Sequence, residues 1–219
     1  MITDLDTQLP NIQLLAASGW KDYALLDSGN GSKLERFGSY RLIRPEPEAV
    51  WKPALAASEW QKADALYQPA PEENGGHWEY RRKLPERWQM AYKSLNFWVQ
   101  TSASRHLGVF PEQSCQWDWA EAVIARAQNK PRVLNLFGYT GIASLSAARA
   151  GAQVTHLDAS RKVVLWAKDN PPSVKSRAAF PESSPQRRVK RTVLQIRSQL
   201  PRHPKCRRTA VSPAATRPP

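Results

Sequence analysis

RVLNLFGYTGIASLSAARAGAQVTHLDAS, residues 132–160, is the stretch whose reading decides the fold. Val133–Phe137 is an apolar run of strand length and reads as a buried strand. Residues 138–141 hold two glycines and read as a turn. Ile142–Ala150 is rich in small helix formers, and Gly151 is placed to end that helix. Gln153–Leu157 is a second apolar run, closed by Asp158, and Ser160 is a candidate N-cap for a helix through Lys168. Strand, helix, strand and helix in that order predict an α/β fold with a parallel, doubly wound sheet.

The turn has a chemical reading as well. Glycine between a strand and a helix lets backbone N–H groups approach a ligand closely, because no Cβ intervenes. A carboxylate at the end of the next strand accepts hydrogen bonds from a ribose diol. Gly138 and Asp158 are 20 residues apart, the separation that this arrangement requires. A nicotinamide dinucleotide site would need a second glycine where Thr140 stands, and no hydride-transfer constellation accompanies the turn. The GNGSK run at 29–33 is too short for a phosphate loop. A nucleoside ligand without phosphates fits better, and S-adenosylmethionine is such a ligand.

Upstream, Asn30-Gly31 divides two extended runs and predicts a tight hairpin. A short helix is expected within residues 54–66, then two more strands in HWEYRRKLPERWQMAYKSLNFWVQTS, 77–102. Residues 1–90 therefore read as a small antiparallel β-rich domain. A helix is expected from about Gln116, with Trp117, Ala120, Val123 and Ile124 as its apolar stripe, so that residues 91–170 form the ligand-binding unit.

Composition breaks at Asn170. The formal charge of the chain is +13, and residues 171–219 hold 12 Lys/Arg against Glu182 alone. That segment also holds nine of the 18 prolines and no glycine or tryptophan. It reads as a disordered basic tail, in which only 191–200 could form a short helix or strand. Cys115 and Cys206 make no disulfide framework, which suits a cytoplasmic protein. With His77, His106, His156 and His203 they never reach metal-ligand spacing, so no metal is expected. No run is apolar enough to span a bilayer, and no membrane association is expected.

VLNLFGYTGIASLSAARAGAQVTHLDASRK resembles the first two motifs of class I S-adenosylmethionine-dependent methyltransferases. In particular it resembles the bacterial branch related to 23S rRNA cytosine methyltransferases, whose turn reads N-L-F-x-Y-T-G. RHLGVFPEQSCQWDW, 105–119, is similar to the covering segment of that branch. LLDSGNGSKLERFGSYRLIRPEPEAVW resembles its small N-terminal β domain. The resemblance runs from about residue 19 to Asn170. It implies that Asn135, Phe137, Gly138, Tyr139, Thr140 and Gly141 wrap the methionine and ribose of the cofactor. Asp158 would bind the ribose hydroxyls, with Ala159 and Ser160 near the adenine. His106, Gly108, Phe110, Glu112 and Gln113 would form the cover.

The same resemblance implies a Rossmann-like methyltransferase fold acting on RNA, rRNA by analogy. In related enzymes a substrate-facing D/N-P-P motif follows a fourth strand. Here DNPPS, 169–173, stands only twelve residues after Asp158 with no apolar strand before it, and is read as a helix stop. Neither cysteine has a general base that would make it a catalytic nucleophile. The pattern is lost at Pro171, so the expectation is a partial domain, truncated or frame-shifted after Asn170. Such a chain would leave the outer edge of its first parallel strand bare, dissolve poorly and show no turnover. The competing reading is a non-catalytic RNA-binding protein that uses the basic tail, or stacks bases on the aromatics of HWEYRRKLPERW.

Overall fold

The fold was obtained as a computed structural model. The structure describes residues 14–17, 19–70 and 75–170, together with the strand backbones at 176–177 and 192–197. The remaining residues of the segment read as a disordered tail lie outside the described residues.

Two β units precede the first long helix. Strands β1 (Tyr23–Gly29), β2 (Ser32–Phe37), β3 (Tyr40–Pro45), β4 (Ala65–Pro69) and β5 (Gly76–Tyr80) form one sheet in that order. The β1–β2 turn is Asn30-Gly31, with φ of 50° and 72°. Two successive positive φ angles are what a two-residue hairpin turn needs, and Asn-Gly supplies them at least cost. Pairing is antiparallel except between β3 and β4, which run parallel across a connection that holds the short helix α1 (Ala57–Gln61). Strands β6 (Trp88–Tyr92) and β7 (Leu95–Val99) form a separate hairpin. The second strand pair expected in residues 77–102 is thus divided, since β5 joins the larger sheet.

The main core runs through both parts of the chain. Phe37, Leu42, Tyr67 and Trp78 of the large sheet pack in one cluster with Met90 and Phe97 of the hairpin. Val109, Trp117 and Ile142, from residues 91–170, belong to the same cluster. Burying side chains of this size contributes roughly 1.5–3 kcal/mol each, so the two parts stabilise one another. Beneath this core lies an ion pair. Arg44 donates from Nε and Nη2 to Glu35, both at 2.7 Å. Arg44 is 5% and Glu35 1% exposed. The Tyr23 hydroxyl also donates to Glu35, and burial together with that carboxylate raises the phenol well above its ordinary pKa.

Helix α2 (Ser114–Arg126) begins two residues before the expected start. Strand β8 (Arg132–Leu136), helix α3 (Ile142–Arg149), strand β9 (Gln153–Asp158) and helix α4 (Arg161–Asp169) follow as the sequence predicts. Strands β8 and β9 are parallel, with Asn135 opposite His156. The backbone of β10 (Ser176–Arg177) and β11 (Thr192–Arg197) continues the sheet in the order β10-β11-β9-β8. Strand β11 falls within 191–200 and runs antiparallel to β9.

Two expectations of burial fail here. Strand β8 was expected to be buried, yet Leu134 and Leu136 are 61% and 51% exposed. Val123 was placed on the buried stripe of α2, yet it is half exposed, as is its neighbour Trp119. The sequence pattern of a buried strand is present, but β8 has no neighbour on its outer edge among the described residues. The face of the strand that carries Leu134 and Leu136 stays in solvent.

Candidate functional site

The glycine turn is a strained piece of backbone. Phe137 and Tyr139 have φ of 56° and 51° on either side of Gly138, a region that costs bulky residues on the order of 1 kcal/mol each. Strain of this kind persists where surrounding contacts determine the geometry. Several contacts do so here. Asp158 Oδ2 accepts the Tyr139 N–H at 2.9 Å, and its Oδ1 accepts the Ser160 N–H at 2.8 Å. The Thr140 hydroxyl donates to the Gly108 carbonyl, tying the turn to the covering segment. Ser160 occupies the N-cap position of α4, but its side chain makes no capping bond.

Two neighbouring clefts open at this turn. One, of about 90 Å³, is lined by Asn135, Phe137, Gly138, Tyr139 and Thr140, with Gly108, Phe110, Gln113 and Trp117 from the cover. The other, of about 160 Å³, lies between Leu136, Phe137, Leu157, Asp158 and Ala159. Phe137 borders both and is 88% exposed. Of the residues singled out from sequence, these two clefts gather Asn135, Phe137, Gly138, Tyr139, Thr140, Asp158, Ala159, Phe110 and Gln113. Gly141 serves at the helix start instead, where its φ of 85° and the nearby Ala167 leave no room for a Cβ. His106 and Glu112 face a separate cavity on the far side of Phe110. The rings of His106, Phe110 and Tyr139 form a row, with successive centroids 4.9 and 5.3 Å apart.

Three residues at the turn escaped the sequence reading. His156 is fully buried under Gly138, and its Nδ1 lies 3.0 Å from Ser144 Oγ, which in turn accepts from Asn135 Nδ2 at 2.8 Å. Its place in the alternating run Val154, His156, Asp158 was the available signal, since these share one face of β9. Asn170 was read with DNPPS as a helix stop, and it is the C-cap of α4. It is also 2% exposed, donates from Nδ2 to the Thr140 carbonyl and accepts the Trp98 N–H, both at 2.8 Å. Trp117 was read as an apolar stripe residue, and it is a core residue. Its buried Nε1 has no hydrogen-bond partner within the described residues, while the residue lines the first cleft.

Burial holds His156 below its ordinary pKa, against the opposing charge of Asp158. The folded protein therefore binds this proton less readily than the unfolded chain. Its contribution to stability is complete above the unfolded value of about 6.5 and is lost as pH falls toward the folded value. His106 is shifted in the same direction, by burial first and then by Arg44, Arg105 and Lys33. Thermal unfolding followed by circular dichroism should show Tm falling as pH drops below about 6.5. A flat Tm between pH 7 and 5 would contradict the burial of these imidazoles.

No family model matches the chain. A solved S-adenosylmethionine-dependent methyltransferase from Agrobacterium tumefaciens is 47% identical, with a TM-score of 0.66 over 70% of this chain. A Streptococcus mutans structure assigned to the same class is 18% identical, with a TM-score of 0.50, and supports the fold alone. Among curated relatives, ribosomal RNA large subunit methyltransferase K/L of Shewanella sp. (strain W3-18-1) is 60% identical over 40 residues, or 18% of this chain. The enzyme of that name from Legionella pneumophila (strain Lens) is 48% identical over 46 residues, or 21% of this chain. The chain spans 49% of the Agrobacterium protein, and the matched segments span 6% of the two curated relatives. Its fold, its glycine turn and these likenesses make the chain a relative of the class I S-adenosylmethionine-dependent methyltransferases.

Proposed function

We propose that this chain is the cofactor-binding part of an S-adenosylmethionine-dependent methyltransferase whose acceptor is RNA. The observation that carries the reading is the pair of clefts joined at Phe137, with the strained Gly138 turn on one side and the Asp158 carboxylate on the other. The residues fit the cofactor. Each Asp158 oxygen accepts one backbone N–H and keeps a further lone pair for a ribose hydroxyl. The indole of Trp117 forms part of the wall of the first cleft. Phe137 and Phe110 supply apolar faces for the remainder. Bound S-adenosylmethionine would supply an electrophilic methyl group, and the protein would contribute position and orientation.

An RNA acceptor is supported by the names of the curated relatives, which are ribosomal RNA methyltransferases. Domains at 1–90 and 91–170, a basic tail at 171–219 and a cytoplasmic location are part of the same reading. The alternative of an RNA-binding protein that stacks bases on residues 77–88 is disfavoured. Trp78 and Trp88 are buried, at 7% and 8% exposure, and offer no face to a base, which leaves Tyr80 as the one exposed ring among the tryptophans and tyrosine of that stretch.

Titration calorimetry with S-adenosylhomocysteine tests the proposal. The unaltered chain should bind saturably, and Asp158→Ala should weaken binding at least ~10-fold, the loss of charge-assisted hydrogen bonds worth roughly 1.5–3 kcal/mol. Equal affinity in the variant would remove the ribose role from Asp158. Absence of binding by the unaltered chain would remove the cofactor reading.

A further inference from the structure

His156 is a buried titratable group that lines neither cleft, yet it is tied to the first of them. Asn135 of β8 and His156 of β9 stand opposite one another in the parallel pair. Ser144 of α3 joins their side chains. Asn135 donates from Nδ2 to Ser144 Oγ at 2.8 Å, and that oxygen is 3.0 Å from His156 Nδ1. Ser144 and His156 are fully buried, whereas Asn135 lines the first cleft. The imidazole is wedged beneath the glycine turn, with no space for a Cβ between it and Gly138.

Proton count gives this relay a direction. A serine hydroxyl has one proton to give and two lone pairs. Ser144 Oγ accepts from Asn135, so its own proton goes to His156 Nδ1, the other polar atom it meets among the described residues. Burial holds the imidazole in its neutral form near pH 7, and its hydrogen then sits on Nε2. The Asn135 amide is fixed by the same logic. Turned over, it would set Oδ1 against a serine oxygen whose proton is already committed, and a hydrogen bond at the edge of the core would be lost. With Nδ2 turned inward, Oδ1 is left over. It is not buried and has no hydrogen-bond partner among the described residues. No charged side chain lines the cleft, so discrimination between ligand donors and acceptors falls to neutral groups of this kind.

We propose that Ser144 and His156 are positioning residues that hold the Asn135 amide with its oxygen toward the first cleft, so that the cleft selects a ligand bringing a hydrogen-bond donor to that point. This rests on the reading of the cleft as the methionine end of the cofactor site, where the amine of the amino acid is the donor. The tautomer of His156 sets the outcome. Hydrogen on Nδ1 would reverse the relay, with Nδ1 donating to Ser144 and Ser144 to Asn135 Oδ1. The cleft would then meet the amide NH2, a poor partner for an amine that carries only donors.

Calorimetry on the full chain compares S-adenosylhomocysteine with its deamino analogue, which keeps the carboxylate and carries hydrogen in place of the amine. The unaltered chain should prefer S-adenosylhomocysteine at least ~10-fold. In Ser144→Ala the preference should fall to about 3-fold or less while affinity for the analogue is kept, because the freed amide turns over. Adding Asn135→Asp to that variant should restore the preference, since a carboxylate presents an oxygen whichever way it turns. Equal weakening of both ligands in Ser144→Ala overturns the proposal by leaving Ser144 a structural role alone, as does a preference that survives the substitution. Nitrogen NMR of the histidine-labelled, unaltered chain is the second measurement, with the His156 signal assigned through the backbone. Hydrogen on Nε2 is expected, and hydrogen on Nδ1 overturns the proposal. Binding of neither ligand by the unaltered chain counts against the cofactor reading instead, and the His156 tautomer then supports or overturns the relay by itself.

Discussion

Gly138→Ala should abolish S-adenosylhomocysteine binding, lowering affinity more than ~100-fold, and should destabilise the protein by about 1–3 kcal/mol. A Cβ at this position would lie 2.3 Å from both Cε1 and Nδ1 of His156, well inside contact distance. The imidazole cannot withdraw, being fully buried and hydrogen-bonded to Ser144. The turn must move instead, and Phe137 and Tyr139 on either side already hold strained φ angles. Moving it pulls the Tyr139 N–H from Asp158, so one methyl group disturbs both clefts. Calorimetry on the double variant with His156→Ala separates collision from other causes. Space opened beneath the turn should restore part of the lost affinity, a coupling between neighbours that independent sites would not show. Wild-type affinity in Gly138→Ala alone would refute the steric argument.

The second large effect lies outside the turn. Glu35→Ala should lower stability by about 3–5 kcal/mol, because it leaves the Arg44 guanidinium buried without its counter-charge. For a chain of this size that corresponds to a fall in Tm of about 10 °C. Tyr23 loses its acceptor as well, which adds to the cost. Replacing both partners, as Glu35→Leu with Arg44→Met, should recover much of the loss, since a packed apolar pair avoids the desolvation of two charges. Differential scanning calorimetry measures both. A single variant as stable as the parent would show that water reaches Arg44.

The elements around residues 132–169 were legible because their signals are local. An apolar run, a glycine turn, a small-residue helix and a terminal acid each act within a few residues. The Asn30-Gly31 hairpin was legible for the same reason. What escaped depends on partners distant in sequence. Asn170 joins Trp98 to Thr140, 72 and 30 residues away. The Glu35–Arg44 pair depends on register between neighbouring strands and on burial, neither written in the residue types. His106 and Glu112 stand in one short segment with Phe110, yet backbone direction turns them away from the clefts that Phe110 borders. The exposure of Leu134 and Leu136 was hidden by a different fact. Their sequence pattern describes a strand covered on both faces, and here the face that carries them meets solvent.

Trp117 gives the molecule a built-in optical reporter. Its indole borders the first cleft, and its ring centroid lies 6.1 Å from Trp20 and 5.7 Å from Tyr92. Excitation absorbed by either ring can pass to its neighbours over so short a distance. Emission from this aromatic group should therefore respond when a ligand fills the cleft that the indole borders, without any label attached to the chain.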